Sequence, residues 1–366
     1  MIFSLFSLIH CISVAQTTSV PDDNFEQALI DLGLDSGPLD DSVLTANINT
    51  VTNLDVAGLS ISSLIGIEDF TALTILNCND NTISALNLSQ NTNLSELYCN
   101  NNLISNLNVT MHPALKIFWC NNNQLTSLNV SAITTLIELN CIDNNLTSID
   151  VSSNTNLDIL KVYNNELTSL NVTSNTALTD LECNGNYITS LDVSNNLDLI
   201  WLITGNNNIT SLDLSANTSL IYLECNDNAL TSLNIANGNN ASLVTADFDA
   251  TNNPNLTCIE VDNVAYSTTN WTNIDATASF STNCGALSVD DFSLNTVSIY
   301  PNPTTSVLNI KMDSNLKSAT IYSILGKKVL ETTSNNINTS NLNSGLYLIK
   351  IASENGSVAT KKFMKE

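Results

Sequence analysis

The side chains through which this 366-residue sequence could do chemistry are few in kind: 35 carboxylates, ten lysines, nine cysteines, two histidines and no arginine. His112 is the one histidine beyond residue 15. Nucleophilic sites of the Ser-His-Asp or Cys-His type need an imidazole beside the nucleophile, and a single isolated histidine is a poor basis for one. No glycine-rich phosphate loop, Walker motif or zinc-ligand spacing occurs. Glycoside hydrolysis needs only two carboxylates, so the acids are the remaining catalytic candidates. Asp180 with Glu182, and Glu224 near Tyr222, are the pairs to consider. Scattered acids are expected in so acidic a chain, and the expectation is that this is not an enzyme. No cofactor and no metal is expected either, because the cysteines lack chelate spacing and no acidic loop has EF-hand-like spacing.

The elements that hold these groups come from a repeat. Written in register, LTILNCNDNTISALNLSQNTN (73–93), LSELYCNNNLISNLNVTMHPA (94–114) and LKIFWCNNNQLTSLNVSAITT (115–135) open a run of eight gapless 21-residue units that ends at residue 240. Position nine is always Asn: Asn81, Asn102, Asn123, Asn144, Asn165, Asn186, Asn207 and Asn228. An Asn carries both donor and acceptor. Where the chain leaves a strand it can satisfy inward-pointing backbone groups and bond the next Asn along the stack. Position six is Cys78, Cys99, Cys120, Cys141, Cys183 and Cys225, with Val162 and Thr204 in the other two units. That interchange marks a small buried site. In-register neighbours on adjacent strands lie ~4.8 Å apart, wider than the ~3.8 Å between the Cβ atoms of a disulfide. A ladder of free thiols is therefore expected. His112 falls at position nineteen, where other units carry Asn, Ile or Gly, and is placed on the back of the stack away from any site.

The pattern L-x-x-L-x-C-x-x-N-x-L resembles the leucine-rich repeat, with Cys for its third Leu, over roughly residues 51–262. The resemblance implies a solenoid: one short strand per rung, a continuous parallel β-sheet, and a mostly non-helical convex side. A parallel β-helix has similar rungs but needs three strands in each, and only the L-x-x-L-x-C segment has strong strand character. An open stack needs caps. Residues 16–50 are read as the N-terminal cap, with a helix over 21–33: Pro21 in its first turn, Phe25, Leu29 and Leu32 on one face, and Gly33 at its end. Residues 51–72 form a variant rung with Leu54 and Val56 in its strand. Ala246 and Phe248 mark a degenerate strand, Ile259 and Val261 the last one, and 263–290 the C-terminal cap and linker. Cys258 and Cys284 lie outside the thiol ladder and are the natural disulfide pair of an exported protein.

Residues 1–15 are apolar and end Ser13-Val14-Ala15, which reads as a signal peptide. They are too short to span a membrane, and no other stretch is long enough. Charge is unevenly spread: residues 1–291 carry a formal −29 and residues 292–366 a formal +4, which argues for a boundary near residue 290. So acidic a surface repels phosphate backbones and anionic lipid, which speaks against nucleic-acid and membrane partners. Residues 291–366 show short alternating segments, read as a small β-sandwich. They contain Tyr300-Pro301-Asn302-Pro303, Leu325-Gly326-Lys327, Gly345-Leu346-Tyr347 and Lys361-Lys362-Phe363-Met364-Lys365 in order. In these elements the segment resembles the type A C-terminal sorting domain of type IX secretion, found in Bacteroidota. The resemblance implies recognition by that machinery at the outer membrane, removal of the tail, and a secreted or cell-surface protein.

With positions four and six facing the core, positions three, five and seven face the concave side. The core columns are nearly invariant between units, while the outward ones vary. The expected ligand-binding residues are Tyr98, Trp119, Lys161, Tyr163, Glu182, Trp201, Tyr222 and Glu224. Tyr98, Trp119 and Tyr163 are grouped as one patch, Trp201 with Tyr222 as another. Grouped outward aromatics favour protein or glycan contacts. The expected function is extracellular adhesion or ligand capture. The alternatives are a structural surface protein without a discrete ligand and, third, a carboxylate glycosidase or lyase.

Overall fold

An apolar residue at position four, Phe118 in the third unit and Leu in the other seven, anchors each rung. Its neighbours at three and five point the other way, so a three-residue strand forms with one buried centre. The computed structural model describes residues 15–243, 247–284, 297–312, 315–354 and 358–366. The expected signal peptide lies outside the described residues except for Ala15, and so do Ala246 and the end of the expected linker. The chain divides into two compact units, residues 1–284 and 285–366.

In the first unit, ten parallel strands make one sheet, from Asn53–Asp55 through Ile75–Asn77, Glu96–Tyr98, Ile117–Trp119, Glu138–Asn140, Ile159–Lys161, Asp180–Glu182, Trp201–Ile203 and Tyr222–Glu224 to Phe248–Asp249. Register is direct, with Leu76 opposite Leu97 and Leu97 opposite Phe118. Each rung buries the same columns; in the third these are Leu115, Phe118, Cys120, Leu125, Leu128 and Val130. A buried Leu contributes roughly 1.5–3 kcal/mol by transfer from water, realised only when a neighbouring rung covers it.

Backbone polarity is settled by three asparagine columns. Asn102 Nδ2 donates to the carbonyls of Cys78 (3.0 Å), Cys99 (3.2 Å) and Asn100 (3.1 Å), and its Oδ1 accepts from Ile83 N at 2.9 Å. Each position-nine Asn thus ties its own turn to the preceding rung through the backbone. The Asn-to-Asn bond expected at this position forms one residue earlier instead. Position eight is left-handed, with φ of 56° at Asp80, 53° at Asn101 and 52° at Asn122, a conformation that Asn and Asp tolerate. There Asn122 Nδ2 donates to Asn101 Oδ1 (2.8 Å), and Asn101 Nδ2 to Asp80 Oδ1 (2.6 Å). The third column is position nineteen, buried rather than outward on the back. Asn154 Nδ2 reaches the carbonyls of Val130 (3.1 Å) and Ile133 (2.7 Å) of the rung before. His112 fills the same slot, 1% exposed, with Nε2 3.1 Å from Leu88 O.

A second parallel sheet runs through the last rungs, in the order Ser211–Asp213, Ser232–Asn234, Cys258–Glu260 and Ser279–Ser281. Ile259, expected in the last strand of the stack, does lie in a strand, which pairs with Leu233 in this second sheet. The T-S-L-[DN]-V segment alternates outward polar and inward apolar residues, and that period of two is enough to form a strand once neighbours are in register.

The N-terminal helix covers Asp23–Asp31. It starts two residues later than Pro21, because Asp22 is its N-cap and accepts from Asn24 N and Phe25 N. Phe25 and Leu29 are buried as expected, whereas Leu32 stands 51% exposed at the C-cap. Ala28 and Glu26 complete the buried face. The Glu26 carboxylate is held by Asp40 N (2.7 Å) and Asp41 N (3.1 Å). At the other end Trp271 is buried, stacked on Phe248 at 4.7 Å, with its indole N–H donating to Leu243 O at 2.9 Å. Cys258 and Cys284 are joined by a disulfide.

The second unit is a sandwich of antiparallel sheets. Ser298–Tyr300, Val307–Lys311 and Asn336–Asn338 form one; Lys328–Thr332, Leu316–Ser323, Gly345–Ser353 and Val358–Lys365 form the other. Leu308, Ile321, Ile349 and Phe363 lie in its core. Gly326 makes the hairpin turn with φ of 76°. The Tyr-Pro-Asn-Pro and terminal lysine motifs meet here: Asn302 Oδ1 accepts from Met364 N (2.9 Å), and its Nδ2 donates to Lys362 O (3.2 Å).

Candidate ligand-binding face

Positions three and five of the eight units stand half-buried on the outward side of the ten-stranded sheet, apart from the more exposed Trp201. Direct register sets side chains of adjacent rungs side by side. Tyr98 stands opposite Trp119, and Trp201 opposite Tyr222. The first two rings meet edge to face at 5.2 Å. The second two stack at 4.3 Å and 13°, and Trp201 is still 42% exposed.

Carboxylates hold three of these four rings. Tyr98 O–H donates to Glu96 Oε2 at 2.8 Å, Trp119 Nε1–H to Glu138 Oε1 at 2.8 Å, and Tyr222 O–H to Glu224 Oε1. Burial and then the bond to Glu96 push the Tyr98 phenol up to about 12. For Tyr222 the bond to Glu224 comes first and burial second, again to about 12. Both phenols therefore stay neutral donors at physiological pH.

Lys161 is the one cation of this face among the described residues, and it is spoken for. Its Nζ lies 2.6 Å from Glu182 and 3.5 Å from Asp180. Burial draws the ammonium down, but the two carboxylates outweigh it and hold Lys161 above its ordinary value. Asp180 is also raised, by burial first, with the Glu182 charge adding and Lys161 only partly offsetting. The ammonium thus belongs chiefly to Glu182.

Of the expected residues, Tyr98 with Trp119, Trp201 with Tyr222 and Glu224, and Lys161 with Glu182 stand together. Tyr163 does not join the Tyr98–Trp119 pair. It sits two rungs beyond Trp119, and its phenol is raised by burial and then by the charges of Glu182 and Asp143. Column seven is not uniformly outward: Asn100 and Ile142 are buried, because the chain begins its turn there. Glu96, Glu138 and Asp180 belong to the face although they were not among the expected residues. Their signal was their place in column three beside the aromatics. The acids on the T-S-L-[DN]-V segment are occupied in local turns. Asp150 and Asp192 are lowered first by the Ser152 and Ser194 hydroxyls.

Residues 298–366 match the family model described as the secretion system C-terminal sorting domain. That segment is a type IX sorting tail, and the unit before it has the parallel-stranded fold of a leucine-rich-repeat solenoid. No curated protein matches it. Among solved structures, the repeat protein is similar to the functional domain of InlJ from Listeria monocytogenes, described as including a cysteine ladder. That likeness has 24% identity and a TM-score of 0.44, over 97% of this chain and all of that one. Internalin C2 from the same organism is similar at 18% identity and TM-score 0.44, over 68% of this chain and 99% of that one. A leucine-rich-repeat protein of Leptospira interrogans follows at 23% identity and TM-score 0.44, over 54% and 52%. No helix among the described residues is long and apolar enough to cross a membrane.

Proposed function

We propose that this protein captures an extracellular ligand on the outward face of its ten-stranded sheet, after export by the type IX route to the outside or the surface of the cell. The observation that carries the reading is the Trp201–Tyr222 stack, large and half-exposed on a sheet whose core columns are nearly uniform. Aromatic anchors of this kind dominate binding energetics where they occur. The polar atoms of Tyr98, Trp119 and Tyr222 are already fixed by Glu96, Glu138 and Glu224, so these rings have little rotamer entropy left to lose on association. The sorting tail supports export.

Binding is favoured over catalysis because the candidate carboxylate pairs are engaged. Asp180 and Glu182 share Lys161, and Glu224 accepts from Tyr222. The test is a protein and glycan array probed with the full chain and with Trp119→Ala/Trp201→Ala. Capture lost by the variant, with an unchanged circular dichroism spectrum and melting temperature, supports the site. Equal capture by both proteins removes it.

A further inference from the structure

The outward face has a chemical bias that narrows its partner. The hydroxyls of Tyr98 and Tyr222 and the indole N–H of Trp119 are all donated to carboxylates. The Lys161 ammonium is donated to Glu182 and Asp180. The Trp201 N–H, the Tyr163 O–H and the Asn77 and Asn140 amides remain as donors. But Glu96, Glu138, Asp180, Glu182 and Glu224 stand against the one ammonium of Lys161, five negative charges to one positive, so the face is rich in anionic acceptor oxygen and ring electron density. A neutral glycan gains nothing from that charge, and it needs an open ring face to lie on. Here Trp201 and Tyr222 cover each other along the stack, and Tyr98 stands edge-on to Trp119. A cation needs only what is present, a carboxylate beside an aromatic ring.

We infer that the partner presents a cationic, lysine- or arginine-rich polypeptide segment to this face; the inference rests on the ligand-capture reading above. The same pairing of carboxylate with ring occurs at Glu96 with Tyr98, at Glu138 with Trp119, and at Glu224 with Tyr222. From the Glu96–Tyr98 strand to the Tyr222–Glu224 strand the sheet takes six steps, or roughly 29 Å at ~4.8 Å per strand. An extended peptide covers that distance in about nine residues at ~3.3 Å each. The formal −29 of residues 1–291 adds long-range attraction.

The probe is nona-arginine, titrated against the full chain at about 0.15 M salt, where only contacts within ~8 Å are weakly screened. Two charge-matched triple variants separate the face from the bulk charge. One is Glu96→Gln/Glu138→Gln/Glu224→Gln. The other is Asp150→Asn/Asp192→Asn/Asp213→Asn, on the exposed T-S-L-[DN]-V segment. Both sets keep an acceptor oxygen at each site. The expected result is a loss of tenfold or more in affinity for the first and less than twofold for the second. Equal losses in the two overturn the inference. An array ligand that is a neutral glycan, lost in Trp119→Ala/Trp201→Ala and not displaced by nona-arginine, also overturns it while leaving ligand capture standing.

Discussion

The carboxamide of Asn164 lies over Gly185, so that a Cβ placed on Gly185 would stand 2.3 Å from Asn164 Oδ1. Both residues hold position eight of their rungs. Asn164 is turned this way because its Nδ2 donates to Asp143 Oδ1 at 2.8 Å. Gly185 also has φ of 64°. Gly185→Ala therefore meets two penalties, contact and left-handed strain, and should cost about 1–3 kcal/mol. Urea midpoints check this. Adding Asn164→Gly to the alanine variant should recover part of the loss, since it removes the contact and leaves the strain.

Position nine predicts a larger effect. Asn144 donates to Cys120 O, Cys141 O and Ile142 O and accepts from Leu125 N. Alanine would remove four hydrogen bonds across two rungs and leave Leu125 N without its acceptor, while the carbonyls of Cys120, Cys141 and Ile142 keep Asn123, Asn165 and Asn122 as donors. At ~1 kcal/mol or more for each bond lost, Asn144→Ala should lose at least about 3 kcal/mol. Hydrogen exchange should show the loss concentrated in the rungs on either side of residue 144. Uniform protection would contradict the role given to this column.

The thiol ladder makes a pH prediction. Burial pushes Cys78, Cys141 and Cys183 from the ordinary 9.0 up to about 12. A folded-state value above the unfolded one means that the contribution is complete below about 9 and is lost as pH rises toward about 12. Stability should fall across that window, and the native thiols should be unreactive to a thiol reagent at pH 8 until denaturant is added. Cys141→Val should retain most of the stability, since Val162 fills the equivalent site one rung on. A reagent count that reaches six in the native protein would exclude a buried ladder.

Reduction of the terminal disulfide should act locally. The Cys258–Cys284 bond closes a segment of sequence separation 26. Chain-entropy reasoning assigns such a loop about 3–3.5 kcal/mol. Cys258→Ser/Cys284→Ser should expose the amides of Val264–Asn270 and Ser279–Ser281 to exchange first, with rungs before residue 200 still protected. Simultaneous exchange along the whole stack would show that this end is not an independent cap.

The rungs, the thiol column and Asn81 through Asn228 could be read from sequence because they repeat at one period, and period alone dictates their burial. The position-eight bonds could not: Asn122 and Asn101 look alike in a string, and only their left-handed backbone sets one amide against the next. The inward turn of Asn154 and His112 is hidden for a related reason. The back of a rung looks polar, yet Asn at position nineteen turns inward to add a donor to carbonyls of the rung before. The second sheet is not legible in the string because each T-S-L-[DN]-V segment is weak alone and pairs only with a neighbour in register. On the ligand face, the aromatics were visible as a column pattern, whereas the Glu138–Trp119 and Lys161–Glu182 links required knowing which side chains adjoin across rungs.

Asn102 completes the turn amide of Ile83, Asn123 that of Ile104, and Asn253 that of Leu230. Every rung is therefore finished by the one that follows it, and the series closes where Asp275 accepts from Asn252 N and Asn253 N. The stack has a direction, like a zip with its stop at the C-terminal end. Excising one whole 21-residue unit from the middle leaves each remaining rung with a successor of the same kind, whereas removing residues 247–284 leaves the last rung open. Length can thus be edited internally in whole units, and the tolerance for change is lowest at the stop.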